Sequence, residues 1–348
     1  MKLQNKKIVI FDWTNLCKRT AFSGHVKVSE TEIDYTIFNY SLWNSIYTAC
    51  VKHKAEVVIL AADQGSWRKL VYAPYKLNRR LDSQKKAETG EPTIDWEEFF
   101  AKLNKFSLLL ADNLPFVYLS TKNCEADDII GILAKYLSTD NEIIIISGDQ
   151  DYKQLLKHKN VKLWDPYPGK IGFVKLEWDP DDWINVMSLH GQGKDNIYNV
   201  FTRLDFPVEY NVMRESAEIS CIRKPFLPEK KAWEIVKSGR LKEWLEKDGP
   251  DEAKKKNAQI EKENKQRVYT GKQSKVLYEE DVLSRFNVNK KIISFDEIPD
   301  VLCKRVINQL DEYVLTKSNE FYPFFRNMKW NGVLDNYEYV EKVLYRLF

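Results

Sequence analysis

Four short apolar runs punctuate the first half of the chain: Ile8 to Phe11, Val57 to Leu60, Phe116 to Leu119 and Ile143 to Ile146. Each is brief, unbroken and dominated by β-branched or aromatic residues, which predicts a strand buried on both faces. Between them lie longer stretches with apolar positions at helical spacing, Tyr35 to Val51 and Trp96 to Leu110. Strands alternating with helices predict an α/β fold, a mostly parallel sheet flanked by helices. Beyond Trp178 the pattern changes to amphipathic helices, with no long β-branched run before Lys291-Ile292-Ile293. Asp179-Pro180 has the chemistry of a helix start. It predicts a boundary between a sheet domain over 1–178 and a helical domain over 179–348. Residues 247–275 hold nine basic and five acidic residues and read as a solvated surface helix sooner than as a nucleic-acid contact.

Composition narrows the picture. With 348 residues, 43% of them hydrophobic and 13% aromatic, the chain can bury a core and is not a disordered protein. A net charge of +3 is too small to announce a polyanion partner, so any nucleic-acid contact must come from local patches. Cys17, Cys50, Cys124, Cys221 and Cys303 are odd in number, widely spaced and form no CxxC pair. That pattern argues against a disulfide framework or a zinc site and suits a reducing compartment. The apolar run starting at Lys7 meets Asp12 almost at once, too soon for a signal peptide or membrane span. The expectation is a cytoplasmic monomer without membrane contact.

Candidate chemistry lies where the strands stop. In open α/β sheets, ligands bind beyond the carboxyl ends of the strands. Here the first predicted strand runs into Asp12, the second reaches Asp63, and the Ile143–Ile146 strand leads into Ser147-Gly148-Asp149-Gln150-Asp151. A single strand-end Asp is as easily a helix N-cap, but several together repel unless a cation offsets them. Cys124-Glu125-Ala126-Asp127-Asp128 opens an apolar helix. Acids there suit the helix dipole, yet Glu125 and Asp128 also share one helical face, with Asp127 beside them. Oxygen-only ligands suit magnesium or manganese. His25, His53, His158 and His190 have no metal-ligand spacing.

After Asp63 the chain turns basic and aromatic. Residues 64–90 hold seven basic and two acidic residues, with Arg68, Tyr72, Tyr75, Lys76, Arg79 and Arg80 interleaved. Such interleaving suits single strands, cations tracking phosphates and rings stacking on bases; a solvated amphipathic helix is the plainer alternative. Pro74 argues against one continuous helix.

Phe11-Asp12, Ala62-Asp63, Glu125-Ala126-Asp127-Asp128, Gly148-Asp149-Gln150-Asp151 and Lys194-Asp195-Asn196 occur in the order found in the 5′–3′ exonuclease and flap endonuclease family. The chain resembles that family's T-even-phage RNase H branch from about Lys7 to its end. The set is specific, though each piece alone is weak. The resemblance implies a PIN-like nuclease domain, then a helical domain with a helix–three-turn–helix. It implies two Mg²⁺ or Mn²⁺ ions, with Asp12, Asp63, Asp127 and Asp149 on the first, Glu125 and Asp128 as outer members, and Asp151 and Asp195 on the second. It makes residues 64–95 a helical arch in which Lys76 and Arg79 meet the scissile phosphate while Arg68, Tyr72, Tyr75 and Arg80 bind nucleic acid. It gives Gly191, Gly193, Lys194 and Asn196 a grip on the duplex backbone, with room for K⁺ on the loop carbonyls. It names Pro228-Glu229-Lys230-Lys231-Ala232-Trp233 as the candidate second helix of that motif. The implied activity is 5′–3′ exonuclease, flap and RNase H cleavage, removing RNA primers and 5′ flaps in replication. The implied partners are DNA with 5′ ends or flaps, RNA–DNA hybrids, a single-strand-binding protein and a sliding clamp. One departure matters: Gln192 stands where the family carries an acid, which predicts a weaker second metal. Gln192 also keeps open the alternative of a non-catalytic or weakly catalytic branched-DNA-binding protein.

Overall fold

A computed structural model of the protein describes residues 3–91, 93–167, 169–203, 225–269, 275–315 and 321–348; Cys221 and residues 270–274 of the basic stretch lie outside them. The chain forms two compact units. One comprises residues 1–66, 92–177 and 298–348, the other 67–91 and 178–297. Residues 67–91 thus fold with the helical unit and 298–348 with the sheet unit, where the sequence pattern had drawn a single cut at 178/179.

In the sheet unit, β1 (Lys7–Asp12), β2 (Val57–Ala62), β3 (Phe116–Ser120) and β4 (Glu142–Ile146) form where the apolar runs predict them. β5 (Val161–Asp165) and β6 (Gly172–Phe173) complete a sheet of order β3-β2-β1-β4-β5-β6. The neighbours from β3 to β5 pair in parallel, whereas β6 returns antiparallel to β5. The sheet is therefore mixed, and the expected PIN-like domain is corrected to a mixed sheet with flanking helices. β6 is only two residues long and alternates nothing, so it left no period to read. The inner strands are almost wholly buried, as expected when helices cover both faces.

Helix Tyr35–His53 is capped by Asp34 and ends where Lys54 turns left-handed; helix Trp96–Asn113 is capped by Asp95. These two helices pack with the chain's last residues into one core, where Phe38, Trp43, Phe99, Phe106, Phe325, Trp330 and Leu347 meet. Arg346 fastens the tail, its guanidinium donating to the carbonyls of Ala55 and Cys50 at 2.8 Å each.

The helical unit has its own core, built from helices Pro180–His190, Glu229–Lys237 and Val282–Ile293 with Trp183, Val186, Phe201, Ile235, Trp244 and Phe286. Asp179 caps the first of these helices with proline in its first turn, and the second falls on the expected Pro228–Trp233 stretch. Pro74 does interrupt the basic segment: helix Arg68–Val71 stops, and helix Leu77–Thr89 begins after a turn. Most of the basic 247–275 stretch is the exposed helix Gly249–Tyr269. No helix of the described residues is long and apolar enough to cross a membrane.

Candidate active site

Parallel pairing brings the ends of β1, β2 and β4 to one edge of the sheet. Asp12 is the last residue of β1, in register with Ala61 of β2, and Asp63 follows one residue beyond β2. Asp12 is 7% exposed. One carboxylate oxygen accepts the Asn15 N–H at 3.3 Å, capping helix Trp13–Ala21. The other accepts the Tyr152 hydroxyl at 2.9 Å and the Ser147 hydroxyl at 3.4 Å. Burial, with Asp63 and then Asp149 as charged neighbours, lifts the Asp12 carboxyl to about 6 despite these donors. Asp12 is therefore an N-cap and also a member of a carboxylate cluster.

Asp63 is held from three sides. Its N–H donates to Thr14 Oγ1 at 2.9 Å, its Oδ1 accepts the Ala126 N–H at 2.8 Å, and Lys18 Nζ lies 3.4 Å from Oδ2. The Ala126 contact ties the end of β2 to the first turn of helix Ala126–Leu137. There Glu125 and Asp128 form a reciprocal capping box, with Asp128 Oδ2 accepting the Glu125 N–H at 2.9 Å. Ser66 donates to Glu125 Oε2 at 2.8 Å. Oxygens of Glu125, Asp127 and Asp128 lie within 4.8 Å of one another. Asp128 is fully buried.

Asp149 caps the 3₁₀ helix Gln150–Lys157 by accepting the Asp151 N–H at 3.1 Å, and its own N–H donates to Ser147 Oγ at 3.1 Å. Asp151 occupies that helix's first turn. Tyr152, fully buried, ties the acids together: after burial, Asp12, Asp127 and Asp149 are the charges that push its hydroxyl up. Asp12, Asp63, Asp127 and Asp149 therefore share one electrostatic neighbourhood, and Glu125 and Asp128 join it through the acidic helix. The candidate donors are all carboxylate oxygens, with Lys18 and Arg19 among the cations nearby. A hard divalent cation fits this set, and the cluster is able to coordinate one.

Several of these residues escaped sequence reasoning. Lys18 and Thr14 lie on the helix that Asp12 caps, so its face pattern held a signal. Tyr152 directly follows the acidic run. Tyr167 had no local signal: β5 carries it back beside β4, where the Arg19 guanidinium sits 3.4 Å from its ring centroid. A Cβ on Gly148 would come 2.5 Å from that ring.

Asp195 belongs to the helical unit and is 5% exposed. Arg79 Nη2 lies 2.6 Å from its Oδ1, and its backbone carbonyl accepts the Lys76 N–H at 3.0 Å. Lys76 is left-handed at φ 54°, and Arg80 is exposed. Arg68, Tyr72 and Tyr75 are at most 4% exposed. Arg68 Nε donates to the Ile292 carbonyl at 2.8 Å, and the Tyr72 hydroxyl donates to the Asn196 carbonyl at 3.1 Å. The two rings and the guanidinium thus lie buried in the helical unit, whereas the resemblance implies a contact with nucleic acid for them. The interleaved aromatics encode an anchor for the basic segment.

The loop after helix Pro180–His190 is tightly built. Gly191 has φ +82°, and a Cβ there would strike the Ile197 carbonyl. Gln192 and Ile197 form a backbone bridge around the turn Gly193–Asp195. Asn196, left-handed and fully buried, accepts the Asn78 N–H at 2.9 Å, and Asn78 Nδ2 donates to the Lys194 carbonyl at 3.3 Å. This loop and the start of helix Leu77–Thr89 are thus one hydrogen-bonded assembly.

The sequence profile of the 5′-3′ exonuclease, N-terminal resolvase-like domain matches residues 7–184, just over half of the chain. The chain belongs to the 5′–3′ exonuclease family. It is 27% identical to the ribonuclease H of Enterobacteria phage T4 over 91% of this chain and 90% of that protein. It is 28% identical to flap endonuclease Xni of a Shewanella species (strain W3-18-1) over 55% of this chain and 68% of that protein. Among solved structures, the T5 5′-exonuclease with bound zinc aligns over 88% of this chain and 99% of its own, with a TM-score of 0.51 at 19% identity. The fold is thus that of a 5′ nuclease with a mixed sheet and flanking helices, and this likeness overturns the PIN-like assignment. The chain is a nuclease of the 5′–3′ exonuclease family, and its acidic cluster is able to coordinate a divalent metal ion.

Proposed function

We propose that this nuclease cleaves DNA with 5′ ends or flaps and also degrades the RNA of RNA–DNA hybrids, removing RNA primers and 5′ flaps in replication, and that it works with two Mg²⁺ or Mn²⁺ ions. The observation that carries the reading is the gathering of acids at one sheet edge: Glu125, Asp127 and Asp128 offer oxygens within 4.8 Å of one another, Asp63 is tied to the same helix start, and Asp12 is buried with Asp63 and Asp149 as charged neighbours. A cluster that unfavourable by itself calls for a cation. Asp12, Asp63, Asp127 and Asp149 would hold the first ion, with Glu125 and Asp128 as outer members and Asp151 and Asp195 toward the second. Divalent ions supply Lewis acidity to phosphodiester hydrolysis.

The chain's own groups do the rest. Tyr152, Ser147 and the Asn15 N–H fix the rotamer of Asp12, while Thr14, Lys18 and the Ala126 N–H fix Asp63. Lys76 and Arg79 offset charge on the phosphate as it builds. For Arg79 this would mean exchanging the Asp195 carboxylate, now 2.6 Å away, for a phosphate oxygen. The loop of Gly191, Gly193, Lys194 and Asn196 would hold duplex backbone and a K⁺ ion. In this reading the sheet unit carries most of the metal-holding acids, the helical unit carries Lys76, Arg79, Asp195 and the duplex contacts, and a single-strand-binding protein and a sliding clamp are partners.

Parallel digestion of flap, nicked and RNA–DNA hybrid substrates tests the proposal, with and without Mg²⁺. Expected is metal-dependent release of 5′-phosphorylated products from all three. Hybrids left intact while flaps are cut would remove the RNase H part. Tight branched-DNA binding without cleavage would favour the second reading, a binding protein, for which Gln192 is the motivating residue.

A further inference from the structure

Helix Asp300–Asp311 turns Leu302, Val306 and Leu310 inward and carries Lys304, Arg305 and Asn308 on its exposed side. That side faces the end of β3, and with Thr121 and Lys122 it lines a groove of about 610 Å³. The groove walls are tied together. Thr121 Oγ1 donates to Gln309 Oε1 at 2.6 Å, Gln309 Nε2 donates to the Ser120 carbonyl at 3.3 Å, and Arg305 Nη1 donates to the Lys122 carbonyl at 3.3 Å. Three cations therefore share the groove with one carboxylate, Glu312. Among the described residues, none of the three is paired with an acid.

The position of this groove matters. Ser120 ends β3 in register with Ala62 of β2, so the groove opens on the sheet edge that carries Asp12 and Asp63. β3 is two strands from β1, roughly 10 Å at the usual strand spacing. Lys122 lies three residues before Glu125, on the loop that leads into the acidic helix. A cationic, hydrogen-bonding trough beside a phosphodiester-cleaving centre suits the next phosphates of the same polyanion.

We propose that Lys122, Lys304 and Arg305, with the Asn308 amide, form a backbone-phosphate subsite that holds nucleic acid beside the cut without reading its sequence. The inference rests on the nuclease assignment and goes beyond it, since no part of the acidic cluster belongs to this groove. It also gives the C-terminal segment a role in substrate binding, besides its packing on the sheet.

The test is equilibrium binding of a 5′-flap DNA across a salt series. It uses the full chain with Ca²⁺ in place of Mg²⁺ and follows cleavage separately at saturating substrate with Mg²⁺. The double variant Lys304→Glu/Arg305→Glu should weaken binding roughly tenfold at low salt and flatten the log–log salt slope by about 1 to 2, with kcat little changed. Lys304→Gln should give a smaller shift in the same direction. Lys159→Glu, at the opposite edge of the sheet, makes the charge change of one substitution and should leave the slope alone. Melting curves establish that each variant is folded; should the double variant fail to fold, Lys304→Gln and Lys122→Gln decide. A slope matching wild type in the folded variants, or an equal loss in Lys159→Glu, would overturn the subsite. Failure of the wild type to cleave at all would instead strike the nuclease assignment.

Discussion

Asp12 and Asp195 are the same residue type, both buried, in opposite circumstances. Asp12 sits at a strand tip in the sheet unit, facing Asp63 and Asp149, and its carboxyl is lifted to about 6. Asp195 sits in a loop of the helical unit with the Arg79 guanidinium 2.6 Å away. The first carboxylate is harder to ionise than an ordinary one, and a cation from solution would offset that cost. The second already has a counterion from its own chain. A fold can therefore hold one acid ready for a metal and another satisfied until a ligand displaces its partner.

The largest effect should come from removing an acid of the strand-tip cluster. Asp149→Asn or Asp12→Asn should cut turnover on the order of a thousandfold while leaving flap binding close to wild type; single-turnover cleavage with a parallel binding assay measures both. Near-normal rates in either variant would end the claim that the strand-tip acids do the chemistry. Next, Arg79→Ala removes the internal counterion. If Arg79 serves the phosphate, kcat should fall about a hundredfold, far more than the loss of a half-exposed ion pair would cost in stability. A thermal shift without a rate loss would reduce Arg79 to a structural partner of Asp195.

The third prediction concerns stability. The folded-state value for Asp12, about 6, lies above its ordinary 3.8, so the folded protein holds the proton more tightly than the unfolded chain. That stabilisation is complete below about pH 4 and disappears as pH rises through 6. Metal-free protein should thus melt lower at pH 7 than at pH 5 through this group. Asp12→Asn should recover about 1–3 kcal/mol at pH 7, and Mg²⁺ should raise the melting temperature of wild type more than that of the variant. Equal melting of the two proteins in chelator would contradict the crowded-anion picture. The smallest change is expected at Gln192. Gln192→Asp adds a charged ligand and should move the magnesium midpoint for cleavage severalfold lower, about 1 kcal/mol; a titration with no leftward shift would remove Gln192 from the metal argument.

Much of the sheet unit was legible because its signals are local. A four-residue β-branched run has one way to be buried on both faces, and an acid directly after it is carried to the sheet edge with it. β5 and β6 were missed because Val161–Asp165 alternates with exposed positions and Gly172–Phe173 is too short for any period. The basic segment was only partly legible, for a different reason. Its aromatics and its cations occupy one stretch of sequence, but Tyr72 and Tyr75 turn into the helical core while Arg79 and Arg80 stay outside, and composition does not carry that division.

By itself the sequence determined the strands and the acids at their tips, the cap at Asp179 and the break at Pro74, because each follows from side-chain chemistry within a few residues. Tertiary structure alone decided which charges meet. It gave Asp12 a tyrosine and two acids, and Asp195 an arginine from 116 positions away. It also returned Lys304 and Arg305 to the end of β3. Those outcomes depend on strand order and on the path of the returning C-terminal segment, and electrostatic energy depends on distance in space rather than along the chain.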